Sequence, residues 1–488
     1  MPLLAYGDYR PDVSDYEGAA TKNILNVVPR GDGYGPFPSF SAYTSALPAA
    51  CRGAFYALKS DGTVVTFAGT SSKLYRLNNT DFTWIDVSNG GSSYSALSAT
   101  AQWQFAQFGN LVFATQANAL LQVFDLSSAT AFSNCGGSPP QAAYISVVGR
   151  FLVLSGLLST PYRIQWSGLN ATTTWTSGVN SSDFQDFPDG GIVRGVAGGD
   201  QSGVIFQDQA IRRMSYVPGS PIIFQIDRIT QDKGLYAPYS IIRAGERILF
   251  YAGQGFHKIE PGGVPEPIGR EKVDRTFLAD LDKGNLQLFM GAADPRSTRV
   301  YWAYKSVSGA SGAYDKLLGY DFLLDRFFPV LSTGEYLLGM SQTGLTLENL
   351  DSISASLDAL TLSLDAYATA VQPEIAQFSR AHVLGFFRGD NLEATMESAE
   401  QGTDDNRITI RGFRPITDAA TLFGAVSFRD TPQASATAGA EVPVNARTGR
   451  CDVRRDTRYS RFKVRIPAAT SWTFCAGVIP DLTTSGTL

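Results

Sequence analysis

The sequence predicts an all-β protein: a β-propeller of about six blades, to within one, followed by a smaller C-terminal antiparallel β domain, a sandwich or platform. Three observations carry this reading. Only 17% of the 488 residues are charged, while Gly 48, Pro 24, Tyr 21 and Phe 30 fill the difference; turn formers and aromatics favour strands over helices. Between about residues 53 and 331, short aromatic or β-branched runs alternate with Gly/Asn/Asp/Ser turns at a period of roughly 45 residues, the length of a four-stranded blade. The periodicity stops near Val330 and a different pattern follows.

The first repeat runs Gly62-Thr-Val-Val-Thr-Phe-Ala-Gly69, Lys73-Leu-Tyr-Arg-Leu77 and Phe82-Thr-Trp-Ile-Asp-Val87. Later ones centre on 105–125, 146–176, 203–226, 247–259 and 299–330. One such unit cannot bury both faces alone; stacking around an axis buries them and leaves only short edges. A pair of β-sandwiches is the structural alternative. The linear division is therefore an extended arm at 1–50, a propeller at 51–335, a connecting segment at 336–374 and a β domain at 375–488. In the connecting segment Leu350, Leu357 and Leu364 each precede Asp in a seven-residue repeat. This stretch fits either a short helix or looped strands.

Net charge is −5, which excludes a globally basic nucleic-acid binder. Charge is uneven, however. Between Arg447 and Arg465 the basic residues Arg447, Arg450, Arg454, Arg455, Arg458, Arg461, Lys463 and Arg465 face only Asp452 and Asp456, a local +6. Either these side chains pair with acids on a neighbouring strand or subunit, or they form a basic surface for DNA phosphate or an acidic partner.

No catalytic constellation is legible. The chain lacks a Gly-x-Ser-x-Gly elbow, a phosphate loop and a His-Glu-x-x-His motif. Its two histidines, His257 and His382, sit in apolar strand runs and read as structural. Cys51, Cys135, Cys451 and Cys475 are widely spaced and read as buried thiols, with a Cys451–Cys475 disulfide as the alternative. The expectation is no enzyme activity, no metal and no cofactor. No run of 18 apolar residues is present and no signal peptide is visible, so no membrane insertion is expected.

The N-terminus carries the most informative strings: Tyr9-Arg-Pro-Asp-Val13, Lys22-Asn-Ile-Leu-Asn-Val-Val-Pro-Arg30 and Gly31-Asp-Gly-Tyr-Gly-Pro-Phe-Pro-Ser39. Five prolines and five glycines within residues 1–40 forbid a compact core of its own, so this arm must lie against its own propeller or a neighbour. These strings resemble the start of the tail nozzle (head-closure) proteins of short-tailed bacteriophages, in which an Asn-x-x-Pro…Gly-Tyr arm precedes a propeller. Thr457-Arg-Tyr-Ser-Arg-Phe-Lys-Val-Arg-Ile466 and Trp472-Thr-Phe-Cys-Ala-Gly477 resemble that group's closing sheet, and the Leu-Asp repeat resembles its inter-domain segment.

The resemblance implies a structural virion protein, made in the bacterial cytoplasm and residing in the tail. It implies a six-fold homo-oligomeric ring below a portal-adaptor ring, extending the DNA ejection channel and retaining packaged double-stranded DNA. Tail fibres or spikes would attach to its flank and a plug or needle would close its tip. Asn26, Pro29, Arg30 and Tyr34 in the arm, with the six arginines from Arg447 to Arg461, would lie at contacts. The alternative function is a carbohydrate-binding or glycan-hydrolysing propeller. A cellular scaffold propeller is a third, weakened by the missing Gly-His…Trp-Asp signature.

Overall fold

The computed structural model describes residues 3–15, 19–220, 222–341, 373–402 and 405–487. Strands dominate, and Asp274–Asp280 is the one α-helix among the described residues. Five four-stranded antiparallel sheets follow one another in sequence. Their first strands are Ala54–Leu58, Gln104–Phe108, Ala142–Val148, Val193–Ala197 and Ile242–Ala244.

Two further blades share a seven-stranded sheet. The long strand Arg326–Ser341 joins them. Its first half pairs with Tyr314–Asp321 as the outer strand of the sixth blade; from Gly334 onward it pairs with Pro373–Ser379 as the inner strand of the seventh. Gly334 is where the strand changes partners. A Cβ there would meet Tyr314 Oη at 2.5 Å and the Phe378 carbonyl oxygen at 2.7 Å, so only glycine lets the strands approach. Val383–Asn391 continues the seventh blade, and Pro38–Ala46 from the N-terminus supplies its outer strand. The circle is thus closed by the start of the chain rather than by its sequence neighbour.

Apolar cores fill each gap between blades. Phe67, Trp103 and Phe124 lie between the first and second, and Phe206 and Phe250 between the fourth and fifth. Tyr251, Phe256 and Trp302 lie between the fifth and sixth. The seventh packs on the first through Leu338, Met340, Phe378 and Phe386 against Leu47, Ala54 and Ala68. Buried indoles find backbone acceptors: Trp103 Nε1 donates to Thr70 O at 2.8 Å and Trp302 Nε1 to Ser240 O at 2.9 Å. The aspartates that recur after aromatic strands fix turns. The Asp61, Asp81 and Asp125 carboxylates accept the N–H two residues on, at 2.8, 3.0 and 2.9 Å.

The remaining strands form a sandwich of two antiparallel sheets. One contains Asn406–Thr417, Cys475–Thr487 and Arg455–Thr457; the other contains Ala394–Glu397, Tyr459–Ile466 and Phe423–Arg429. Phe413 and Phe462 meet edge-to-face across the gap at 5.3 Å. The arm contributes to both sheets: Leu4–Ala5, Val27–Arg30 and Gly33–Pro36 join the first, and Ile24–Leu25 the second.

The pairing divides the chain differently from the linear reading. Residues 38–46 and 373–391 belong to the propeller, and the strands between 4 and 36 belong to the sandwich. Among the described residues the blades number seven, one more than the repeat count, because the seventh is assembled from segments separated in sequence. The Leu-Asp heptads at 350–367 lie outside the described residues. All four cysteines are buried free thiols.

Replacing Gly334 with Ala should overpack the shared strand against a backbone oxygen that cannot yield. The expected loss is about 1–3 kcal/mol, read as a lowered urea midpoint with an unchanged slope.

Candidate functional site: the arm junction, the arginine face and the axial pocket

The arm is docked by specific polar contacts to its own chain. Asp8 pairs with Arg326 at 2.6 Å. Asp12 caps the helix Asp274–Asp280 from outside it, accepting the N–H groups of Arg275 at 2.7 Å and Thr276 at 2.9 Å. A capping carboxylate satisfies donors that the first turn leaves orphaned and complements the helix dipole.

Asn26 links propeller and sandwich. It is buried with a left-handed φ of 58°, a conformation asparagine tolerates better than most residues. Its N–H donates to Pro329 O at 3.1 Å and its Oδ1 accepts Leu331 N–H at 2.8 Å, both on the sixth blade's outer strand. Its Nδ2 donates to Glu393 O at 2.8 Å, just before the sandwich strand Ala394–Glu397. Pro29 lies in the hairpin opposite Tyr34. The fully buried Tyr34 donates its hydroxyl to Gly7 O at 2.7 Å and bridges to Cys475. Gly33, at φ 148°, has the Cys475 carbonyl where a Cβ would stand. Arg30 donates to Thr473 O, and its own carbonyl accepts from Arg326 at 3.0 Å. Of the two resting places that the sequence leaves open for the arm, these four residues therefore take their own chain.

The arginine segment divides into three groups. Arg461 is deeply engaged, 2.8 Å from Asp15 and 3.4 Å from Glu400. Lys463 and Arg465 pair with Glu441, and Arg465 also with Glu393 at 2.9 Å. Arg450 pairs with Asp452 at 2.9 Å and Asp481 at 3.0 Å. Arg455 is exposed and rests on the Phe428 ring, 4.5 Å from its centroid. Arg458 is half-buried, and its Nε has no hydrogen-bond partner among the described residues. Arg447 and Arg454 are exposed, with no carboxylate partner among the described residues. Exposed Arg411 and Arg414 adjoin them: Arg411 O accepts from Arg450 at 2.8 Å, and Arg414 Nε donates to Thr448 O at 3.3 Å. The inner arginines are neutralised within the subunit, while Arg411, Arg414, Arg447 and Arg454 leave a positive face on the sandwich.

A third feature escapes sequence reading because its residues come from four blades. A cavity of about 520 Å³ opens at one end of the propeller axis, walled by Tyr144, Arg194, Asp208, Tyr236, Tyr239 and Lys283 among others. Tyr144 and Tyr239, with ring centroids 6.2 Å apart, also wall an inner chamber of about 210 Å³. Tyr239 Oη accepts the Gln102 N–H at 2.9 Å from the second blade's entry, so the axis is crossed by a side chain.

His257 is buried, with Nδ1 3.0 Å from Gly255 O, and burial lowers its pKa. His382 Nδ1 lies 2.7 Å from the buried Glu335 carboxylate, which also accepts the Cys51 N–H at 2.9 Å where the seventh blade meets the first. Both histidines serve packing contacts. Burial pushes the Asp274 carboxyl up to about 6, and neighbouring Asp12 adds to the rise. Burial alone would raise Asp15, but a hydrogen bond from Lys22 and the charges of Arg461 and Arg429 bring it below its ordinary value.

No family model matches the chain, and no curated protein matches it. Solved structures with similar strand arrangements exist. The computationally designed Ika8 protein is 9% identical, covering 72% of this chain and 99% of its own at a TM-score of 0.35. The extracellular domain of the putative hybrid two-component system BT4673 from B. thetaiotaomicron is 10% identical, covering 81% of this chain and 46% of its own at 0.43. YCF48 bound to D1 peptide is 11% identical, covering 60% and 86% at 0.33. Likenesses at these scores carry no functional argument.

Two outcomes follow from the charge geometry. Arg461→Glu should cost about 1–3 kcal/mol, because it sets a third carboxylate beside Asp15 and Glu400 and leaves only Lys22 and Arg429 to balance them. Arg454→Glu should stay within about 0.5 kcal/mol; thermal unfolding of both variants checks the contrast. Asp274 titrates higher folded than its ordinary value of 3.8, so between that value and about 6 the folded state holds a proton that the unfolded chain has lost. Its contribution to stability therefore falls as pH rises through that window. Asp274→Asn should flatten this decline, measured as unfolding free energy against pH.

Proposed function

We propose that the protein is a structural component of a bacteriophage tail, the ring-shaped nozzle that extends the DNA ejection channel and retains the packaged genome. The observation that supports this reading most is where the family-like strings lie. Tyr9–Val13 caps the helix, Lys22–Arg30 bridges the sixth blade to the sandwich, and Gly31–Ser39 forms the hairpin that bridges Cys475 and enters the seventh blade. Cys475 and Gly477 pair with the arm at Tyr34 and Ala5, and the strand Tyr459–Ile466 lies one removed from it, beside Ala394–Glu397, which pairs with Ile24–Leu25. Strings from residues 9–39 and 457–477, far apart in sequence, thus meet at one joint, a coincidence expected if the resemblance reflects shared architecture.

In this reading the subunit is not an enzyme, and the arginine face is an assembly surface. Arg411, Arg414, Arg447 and Arg454 stand ready for carboxylates of a neighbouring subunit or of the adaptor ring. Opposite charge on different faces favours head-to-tail contacts, which close into a ring when the rotation allows. The axis of one propeller is crossed by Tyr239, so the passage for a duplex lies between subunits, on the axis of the ring. Fibres or spikes and a closing plug or needle would bind the outside and the tip, with the protein located in the virion tail.

Electron microscopy of the purified protein, alone and mixed with its adaptor ring, tests the proposal. Six-fold rings with a central hole are expected. Arg447→Glu combined with Arg454→Glu should abolish them while leaving a folded monomer. A protein that stays monomeric at high concentration, and with the adaptor present, would overturn the assignment.

A further inference from the structure

We propose that the mouth of the propeller axis binds a sugar acid, a single carbohydrate ring bearing a carboxylate. The cavity of about 520 Å³ falls within the range of small-ligand sites. It is built by convergence. Tyr144 lies on the strand Ala142–Val148, Arg194 on Val193–Ala197, and Asp208 just past Ser202–Gln207. Tyr236 and Tyr239 come from the loop before Ile242–Ala244, and Lys283 from the loop after the helix.

The charges in this mouth do not balance. Arg194 donates Nε to Asp208 at 2.6 Å and also engages the Tyr144 side chain; of its five N–H donors this leaves some for a further acceptor. Lys283 is exposed and has no carboxylate partner among the described residues. Two cations therefore share one acid, and a ligand carboxylate completes the set by a charge-assisted fork to Arg194. Asp208 already accepts from Arg194 and from the Ile192 N–H at 3.1 Å, yet a carboxylate has about four lone-pair sites. The remainder suits ligand hydroxyls.

The walls suit a ring rather than a bare anion. Tyr236 is 39% exposed, and with Tyr144 and Tyr239 it offers aromatic faces to the C–H face of a sugar. Behind the tyrosine pair, the inner chamber is walled by Gln102, a residue only 3% exposed whose Oε1 has no donor among the described residues. A buried carboxamide oxygen without a donor is costly, and a ligand hydroxyl or a water held by one supplies it. An inorganic anion would meet the cations but neither the rings nor the acceptors.

Isothermal titration of the full chain with sodium D-glucuronate, with D-glucose and sodium sulfate as controls, tests the site. Saturable millimolar or tighter binding of glucuronate is expected, with neither control competing at equal concentration. Lys283→Gln and Tyr236→Ala, both at exposed positions, should each weaken it about tenfold or more with unchanged thermal unfolding. Arg194→Gln should abolish it, and Arg194→Lys should restore only part. Absence of glucuronate binding, equal binding of glucose or sulfate, or binding indifferent to Lys283→Gln and Tyr236→Ala would each overturn the proposal. The site lies within one subunit, so ring formation neither supports nor weakens it.

Discussion

The structure depends on one threading: the strands between Leu4 and Pro36 enter the sandwich before Pro38–Ala46 closes the propeller. At the centre of that path Asn26 engages two domains at once with its N–H and both side-chain polar atoms, bonding Pro329 and Leu331 on one side and Glu393 on the other. The left-handed backbone that this geometry demands costs about 1–2 kcal/mol for most residues and less for asparagine. The apolar core around the joint is continuous, with Met290, Phe328 and Leu337 of the propeller and Met396, Phe462 and Val478 of the sandwich in one cluster. Propeller and sandwich are therefore coupled through the arm, and neither has a complete set of strands without it.

The propeller illustrates how a closed circle tolerates an irregular sequence. Each gap needs only apolar side chains facing apolar side chains, so the repeats share no signature. What cannot vary is closure. The chain solves it with Pro38–Ala46 on Val383–Asn391 and with the buried Glu335, which holds His382 and the Cys51 N–H at the seam between last and first blades. A non-covalent clasp of this kind ties the termini of the circle without a disulfide.

The middle strands of the first six blades are legible in the sequence, because hairpins with local turn chemistry write themselves as alternating runs, but the first strands Ala54–Leu58, Val193–Ala197, Ile242–Ala244 and Met290–Ala293 fall outside those runs, being short and rich in Ala and Gly or interrupted by Arg. The seventh blade is not legible, since its strands lie at 335–341, 373–391 and 38–46 and no local pattern relates them. The arm read as extended and turn-rich, which it is, but its partners could not be read: backbone pairing leaves no mark on distant residues such as Cys475. In the arginine segment the sequence leaves paired side chains and a basic surface equally open; the fold pairs Arg461, Lys463 and Arg465 within the chain and so withdraws Arg461 from the expected contact set, whereas the bare Arg447 and Arg454 show only once the fold places Asp452 and Asp481 around Arg450. The axial cavity was invisible because strands and loops far apart in sequence, from Tyr144 to Lys283, converge on it.

The central claim is that the arm is an integral part of both sandwich sheets and not an appendage. Hydrogen–deuterium exchange on a chain beginning at residue 38 tests it most directly. Loss of the strands Leu4–Ala5, Ile24–Leu25, Val27–Arg30 and Gly33–Pro36 should remove protection across the sandwich, at 394–397, 406–417 and 475–487 together. The first five blades should keep theirs. Sandwich protection equal to that of the full chain would contradict the account.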